Sequence, residues 1–166
     1  MTETPDTAVP PRRVAIEPIT AAAFAPFGTL LEAPVGGPRQ DRAAPLENAR
    51  PGAAANLALV RGEPYARTLP LQRLEKHPHS NQAFLPLRVE AYLAVVAADR
   101  DGRPDPATLR AFAVPGHIGI NYRAGAWHAH LTTLAVPGTF AMLVHEDGTA
   151  EDCVFAPIDP VEIYEA

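Results

Sequence analysis

The sequence predicts an all-β domain, a sandwich or barrel, carrying two short helices. Three observations predict it. The 166 residues include 11 glycines and 19 prolines scattered along the chain, and these breaks leave pieces too short for long helices. Between the breaks, apolar residues alternate with polar ones or run in stretches of four to nine residues. The stretches recur at roughly ten-residue spacing, the rhythm of sandwiches and barrels.

Residues 1–11 are polar and proline-rich and offer little to bury, so a disordered N-terminal arm is expected there, leaving 12–166 as a single domain. A first strand is expected at Arg13–Ile16. In ITAAAFAPFG, Thr20 is a natural N-cap, Phe24 and Phe27 fall three apart on one face, and Gly28 can end the turn. Leu30–Glu32 reads as a short strand. Residues 36–55 have no periodicity and contain Pro38, Pro45 and Pro51; a loop this long in a compact domain is functional or mobile. Strands are then expected at Asn56–Arg61, Arg67–Glu75, Ala83–Leu87 and Ala91–Ala97. In PDPATLRAF, Asp105 caps a helix of at most about two turns, with Pro106 at its first position, where a missing N–H costs nothing. The remaining strands are expected at Arg110–Val114, Gly119–Tyr122, Ala126–Ala135, Thr139–His145 and Asp152–Ala156.

Composition excludes several functions. Fourteen basic against 19 acidic residues give a net charge of −5 and a pI near 5.6, which argues against nucleic acid, since phosphate binding needs a basic face. One cysteine, Cys153, forbids an intrachain disulfide and a cysteine-based zinc cluster. The chain has no run of 18 uncharged apolar residues and no cationic start followed by an apolar stretch, so neither a membrane span nor a secretory signal is expected, and a cytoplasmic location is the default. Serine-nucleophile, phosphate-cradling and helical metalloprotease patterns are absent from the sequence.

Chemistry concentrates in two histidine pairs: His77 and His79 in EKHPHSNQ, and His128 and His130 in AGAWHAHL. In an extended strand, residues two apart share a face, so each pair can present two imidazoles together, either into an interior or to solvent. Two strands contributing imidazoles are a common way to build a metal site. Gln82 can supply an oxygen ligand, orient a substrate amide or hold a loop. Asn121 and Tyr122, with Arg110 and Arg123, supply donors suited to a carboxylate, although Arg110 can equally form an exposed ion pair. Trp127, flanked by small residues, fits a core position better than a substrate wall. His117 and His145 stand alone, and Cys153 reads as a small buried hydrophobe.

Three segments, LEKHPHSNQAFLPL (Leu74–Leu87), RPDPATLRAF (Arg103–Phe112) and GINYRAGAWHAHL (Gly119–Leu131), resemble in order and spacing the ureidoglycolate lyase family, formerly called ureidoglycolate hydrolase. The likeness extends more weakly to Ile19–Glu32 and to the stretch around Cys153. The resemblance implies a cupin-like fold, a double-stranded β-helix or jelly-roll barrel, a homodimer, and cleavage of ureidoglycolate to glyoxylate and urea in allantoin and purine breakdown. It further implies a divalent metal, nickel or zinc, on His77, His79, Gln82 and His128. His128, His130 and Tyr122 become the catalytic candidates, and Lys76, Gln82, Arg110, Asn121 and Trp127 the substrate-binding ones. Two features depart from the family: a second histidine, His79, in the first pair, and Ala53 and Ala55 where the family has an arginine and a histidine before the strand Leu57–Val60, with Arg50 nearby. The alternatives are another metal-dependent cupin enzyme acting on a small hydroxy or oxo acid, and a non-catalytic binder of small carboxylates.

Overall fold

A computed structural model describes residues 11–67 and 70–165; nearly all of the arm expected at 1–11 lies outside the described residues. In chain order the strands are β1 (Arg12–Pro18), β2 (Gly28–Leu31), β3 (Ala54–Pro64), β4 (Leu71–Lys76), β5 (Gln82–Arg88), β6 (Ala91–Ala97), β7 (Asp99–Arg100), β8 (Arg103–Pro104), β9 (Arg110–Pro115), β10 (Gly119–Tyr122), β11 (Trp127–His128), β12 (Thr132–Thr133), β13 (Gly138–Glu146) and β14 (Val154–Glu165). Both expected helices form. The first, α1, spans Ala21–Phe24, and the Thr20 side chain accepts from the Ala23 N–H at 3.2 Å. The second is a single 3-10 turn, Pro106–Thr108, whose cap Asp105 accepts from the Ala107 N–H at 3.0 Å.

Six strands close a ring. They pair in the order β11–β4–β14–β1–β9–β6, and β6 pairs back with β11. One apolar cluster draws on all six strands, including Val14, Leu74, Leu93, Ala111, Trp127 and Ile163, so it fills the barrel. A second sheet, β3–β13–β5–β10–β2, joins the ring through β12, which pairs with β6 on one side and β3 on the other. Between ring and sheet lies the aromatic core of Phe24, Phe84, Tyr92, Phe112, Tyr122 and Phe140. The all-β barrel expected from the sequence is thus the fold.

This arrangement explains the continuous apolar run of β6. Tyr92, Ala94 and Val96 face the aromatic core, whereas Leu93, Val95 and Ala97 fill the barrel; a strand buried on both faces loses its polar alternation. Gly28 does not act as a left-handed helix terminator. It begins β2 against β10, where a Cβ would meet the Asn121 carbonyl oxygen at 2.1 Å.

Three expected elements differ, and one hairpin was not expected. Ala126–Ala135 is not one strand, because β11 and β12 pair with β6 across a bulge in which residues 129–131 face only 94 and 95. The strand expected to end at Ala156 runs on to Glu165, with a register shift between Pro157 and Val161 that accommodates the prolines. The strand expected at Arg67–Glu75 begins only at Leu71. The β7–β8 hairpin turns through Asp101 and Gly102, both at positive φ, and gave no periodic signal because each strand has two residues.

Candidate active site

The site begins with alternation in β11. Trp127 points into the barrel core, so His128 points the other way and meets Gln82 of β5 and Tyr122 of β10. The Tyr122 ring stacks on the His128 imidazole with centroids 4.1 Å apart and planes at 9°. His77, just past the end of β4, stacks on the same imidazole at 5.8 Å and 17°. Glu75 is the register partner of His128 across β4 and β11, which brings its carboxylate to the same imidazole. Glu75 Oε1 lies 3.6 Å from His128 Nε2 and 3.9 Å from His130 Nδ1.

Backbone carbonyls orient both buried imidazoles. A carbonyl oxygen can only accept, so the contact of His77 Nδ1 with the Asp152 oxygen at 2.7 Å and that of His128 Nδ1 with the Ala126 oxygen at 2.9 Å make both Nδ1 atoms donors. The Nε2 atoms are left to face the cluster. Among the described residues, His77 Nε2 is buried without a hydrogen-bond partner, and ligand atoms of Glu75, His77 and His128 lie within 4.8 Å of one another. An orphaned imidazole nitrogen beside a second imidazole and a carboxylate, each imidazole held through its far nitrogen, has the donor chemistry of a divalent-metal site with an open position. The residues therefore fit a metal ion. Gln82 Oε1 is 3.0 Å from His128 Nε2, so its amide borders the same nitrogen.

Electrostatics separate the roles. Burial pushes the Glu75 carboxyl up, but the facing side chains of His128 and His130 outweigh it and hold the group well below the usual carboxylate range. Burial, reinforced by the neighbouring His128, lowers the pKa of His77 and keeps it neutral. The carboxylate of Glu75 raises that of His130 against its partial burial. Burial raises the Tyr122 phenol, and Glu75 adds to the shift. Glu75, Arg73 and His130 also line a cavity of about 700 Å³ with apolar walls that include Tyr65, Val95 and Phe155. His130, its side chain 77% exposed, connects the buried cluster to this open space.

Several expected site residues lie elsewhere. His79 does not share a face with His77: β4 ends at Lys76, Pro78 and His79 form a turn, and His79 Nε2 contacts Glu151 at 3.4 Å. His130 does not project alongside His128, because the bulge at 129–131 changes the alternation. Lys76 pairs with Asp99 at 2.7 Å and lies over the Trp127 ring, away from the imidazoles. Trp127 is fully buried in the barrel core and donates to Asp99 at 2.9 Å, so it is no wall of the cluster. Arg110 is held by Glu17 through two contacts of 2.8 Å. Asn121 is buried, donates to the Pro45 carbonyl at 3.0 Å and accepts from the Asn81 amide at 2.7 Å, so it fastens the long loop rather than facing a carboxylate. That loop is further tied down where the Glu47 carboxylate accepts from the Ala124 N–H at 2.7 Å and Asn48 bridges to Ser80. Glu75 was missed by the sequence reading. The available signal was its place two residues before His77 in a strand.

Comparison with known proteins decides the lineage. The pattern of the family described as "Ureidoglycolate lyase" matches residues 11–163. The chain belongs to the ureidoglycolate lyase family. Proteins named ureidoglycolate lyase are 36% identical over 140 residues in Mesorhizobium japonicum, covering 79% of this chain and 85% of the relative, and 34% identical over 164 residues in Chelativorans sp., covering 92% and 97%. A ureidoglycolate lyase of Pseudomonas syringae pv. tomato is 34% identical over 151 residues, covering 86% and 88%. Among solved structures, RmlC from Streptococcus suis in complex with dTDP-D-xylose matches with a TM-score of 0.41 and 13% identity over 60% of this chain and 46% of that one; so distant a likeness decides nothing about the site. Ala55 lies on the outer face of β3 with the exposed Leu57 and Leu59, whereas Ala53, just before the strand, is buried.

Proposed function

We propose that this chain is a ureidoglycolate lyase that releases glyoxylate and urea from ureidoglycolate, and that residues 12–166 act as one domain. The family match across residues 11–163 carries the reaction, and the cluster of Glu75, His77 and His128 supplies a place for it. The substrate carries a hydroxyl and a ureido nitrogen on one carbon beside a carboxylate. Its cleavage removes the hydroxyl proton, forms the C=O bond, breaks the C–N bond and returns a proton to the departing urea nitrogen.

His130 is the proton carrier in this reading. It is exposed to the cavity, and the adjacent carboxylate of Glu75 strengthens its basicity and stabilises it once protonated. The neutral imidazole takes the hydroxyl proton and then gives it to the urea nitrogen. Arg73, on the same cavity wall, offers a cation for the substrate carboxylate. Tyr122 and Gln82 hold the His128 ring in place from the second sheet. Glu75, His77 and His128, with Gln82 alongside, would hold a nickel or zinc ion. Such an ion would polarise the substrate hydroxyl and lower its pKa.

The enzyme acts as a homodimer in this reading. On the outer face of the second sheet, Leu57 and Leu59 are 70% and 77% exposed and Leu87 is 60% exposed. Register places Leu59, Ala141 and Leu85 side by side across β3, β13 and β5. A contiguous apolar face of this kind marks an interface.

The test is release of glyoxylate and urea from ureidoglycolate by the purified protein, before and after chelation. Equimolar release, lost on chelation and restored by nickel or zinc alone, is the expected result. No release would overturn the reaction, and release indifferent to chelation would remove the metal.

A further inference from the structure

We propose that Arg50, in the long loop between β2 and β3, is a positioning residue that holds His77 in its working orientation through the β13–β14 turn. The inference rests on the proposed lyase site for its functional consequence, but its geometry is independent of the substrate. The guanidinium of Arg50 reaches three side chains of that turn. It contacts Asp147 Oδ2 at 2.9 Å and Asp152 Oδ1 through its two Nη atoms and donates to Thr149 Oγ1 at 3.2 Å. Its side chain is only 16% exposed, and that of Asp152 is 12% exposed.

The turn is built around Asp152, which also accepts from the backbone N–H groups of Asp147 at 3.0 Å and Gly148 at 2.7 Å. The carbonyl of the same residue accepts from His77 Nδ1 at 2.7 Å. Arg50 therefore fixes the Asp152 side chain, the side chain fixes the turn, and the turn sets the carbonyl that selects the His77 tautomer. With Nδ1 donating, His77 Nε2 keeps its lone pair and remains the unpartnered nitrogen of the cluster. Without the clamp, residues 147–152 lose the cation that neutralises two neighbouring carboxylates, Asp147 and Asp152. The carbonyl then has no fixed direction.

The loop itself is suited to this task. Its segment from Pro45 to Ala53 is fastened by Asn121, Asn81, Ala124 and Ser80, so Arg50 projects from an anchored base. Arginine presents its donors to two carboxylates and a hydroxyl in a fixed planar fork, whereas lysine carries a compact point charge on a flexible stem.

The experiment uses the full chain with Arg50→Met, and with Arg13→Met as a control that removes an exposed arginine paired with Glu162 and stacked on Tyr164. Long-range proton–nitrogen NMR of the His77 ring, assigned by its loss in His77→Gln, reports which nitrogen carries the proton. Nickel binding is measured by calorimetry, and kcat and KM are measured alongside. In wild type and Arg13→Met, the proton sits on Nδ1. In Arg50→Met, the ring shifts to a mixture of tautomers, nickel affinity falls about 10-fold or more, as outer-shell changes at metal sites do, and kcat falls with KM little changed. An unaltered His77 spectrum with unaltered nickel affinity overturns the inference. Should Arg50→Met lose its far-UV circular dichroism, Asp147→Asn, which weakens the same clamp, gives the deciding spectrum. Wild-type protein that cleaves no ureidoglycolate overturns the lyase reading instead, and the His77 spectrum still decides the role of Arg50.

Discussion

Replacing Glu75 with glutamine tests the centre of the site with almost no change in shape. The carboxylate lies 3.6 Å from His128 Nε2 and 3.9 Å from His130 Nδ1, and ligand atoms of Glu75, His77 and His128 fall within 4.8 Å of one another. A unit positive charge at the His130 nitrogen would be stabilised by about 4 kcal/mol at that 3.9 Å separation, using an effective dielectric of ~20. Desolvation offsets part of this. The expected loss in kcat is therefore about 10²- to 10⁴-fold, roughly 3–5 kcal/mol of barrier, the range of a general acid–base contribution. Glyoxylate release, followed as its phenylhydrazone at saturating substrate, measures the loss, and far-UV circular dichroism confirms the fold. Glu75 and His130 act on the same proton, so Glu75→Gln combined with His130→Asn should lose little more than the larger single variant. A Glu75→Gln enzyme within about threefold of wild-type kcat, or losses that multiply in full, would refute the assignment of Glu75 as the charge serving this site.

Three further outcomes follow from the same structure. Phe140 is fully buried, edge-on to Phe84 at 6.3 Å and to Tyr92 at 5.1 Å, so Phe140→Ala should cost about 3–5 kcal/mol in urea unfolding, and a cost below about 1 kcal/mol would contradict the packing. The hydrogen bond from Arg50 leads the effects that lower the Asp152 carboxyl from 3.8 to about 2. A depressed acid stabilises the fold above its unfolded pKa and loses that contribution as pH falls through the folded value. The urea midpoint of Asp152→Asn should therefore trail wild type at pH 7, the gap closing as pH falls from about 3.8 toward 2; a gap that does not change with pH refutes the titration. Leu59, 77% exposed at the middle of the apolar outer face, should turn the proposed dimer into a monomer when changed to glutamate, as read by sedimentation, and a wild-type protein that sediments as a monomer removes the interface.

Much of the fold was legible in local chemistry. Thr20 and Asp105 cap their turns because each side-chain oxygen takes an otherwise orphaned N–H. The apolar runs of β6, β9 and β10 read as strands, and β6 is apolar throughout because both of its faces are buried. His77 and His128 were also legible as a pair, since histidines concentrated before and within short strands are unusual in a chain with six of them.

Facing could not be read in this way. A strand side is inverted by one inserted residue or one turn, and insertions are set by the partner strand rather than by the segment itself. The bulge opposite Ala94 and Val95 separated His130 from His128, and the turn at Pro78 separated His79 from His77. Glu75 joined the imidazoles only because β4 and β11 are register partners 53 positions apart in sequence. Arg110, Lys76 and Asn121 looked like carboxylate anchors until long-range neighbours claimed them: Glu17, Asp99 and the Pro45 carbonyl. The sequence by itself determined the all-β class, the capped turns and the family, because each depends on local pattern or on matched residue types, and it singled out the two histidines whose rings the fold stacks together. Only the tertiary structure decided which side chains face one another, because pairing register and ring closure bring together residues whose separation along the chain carries no local signal.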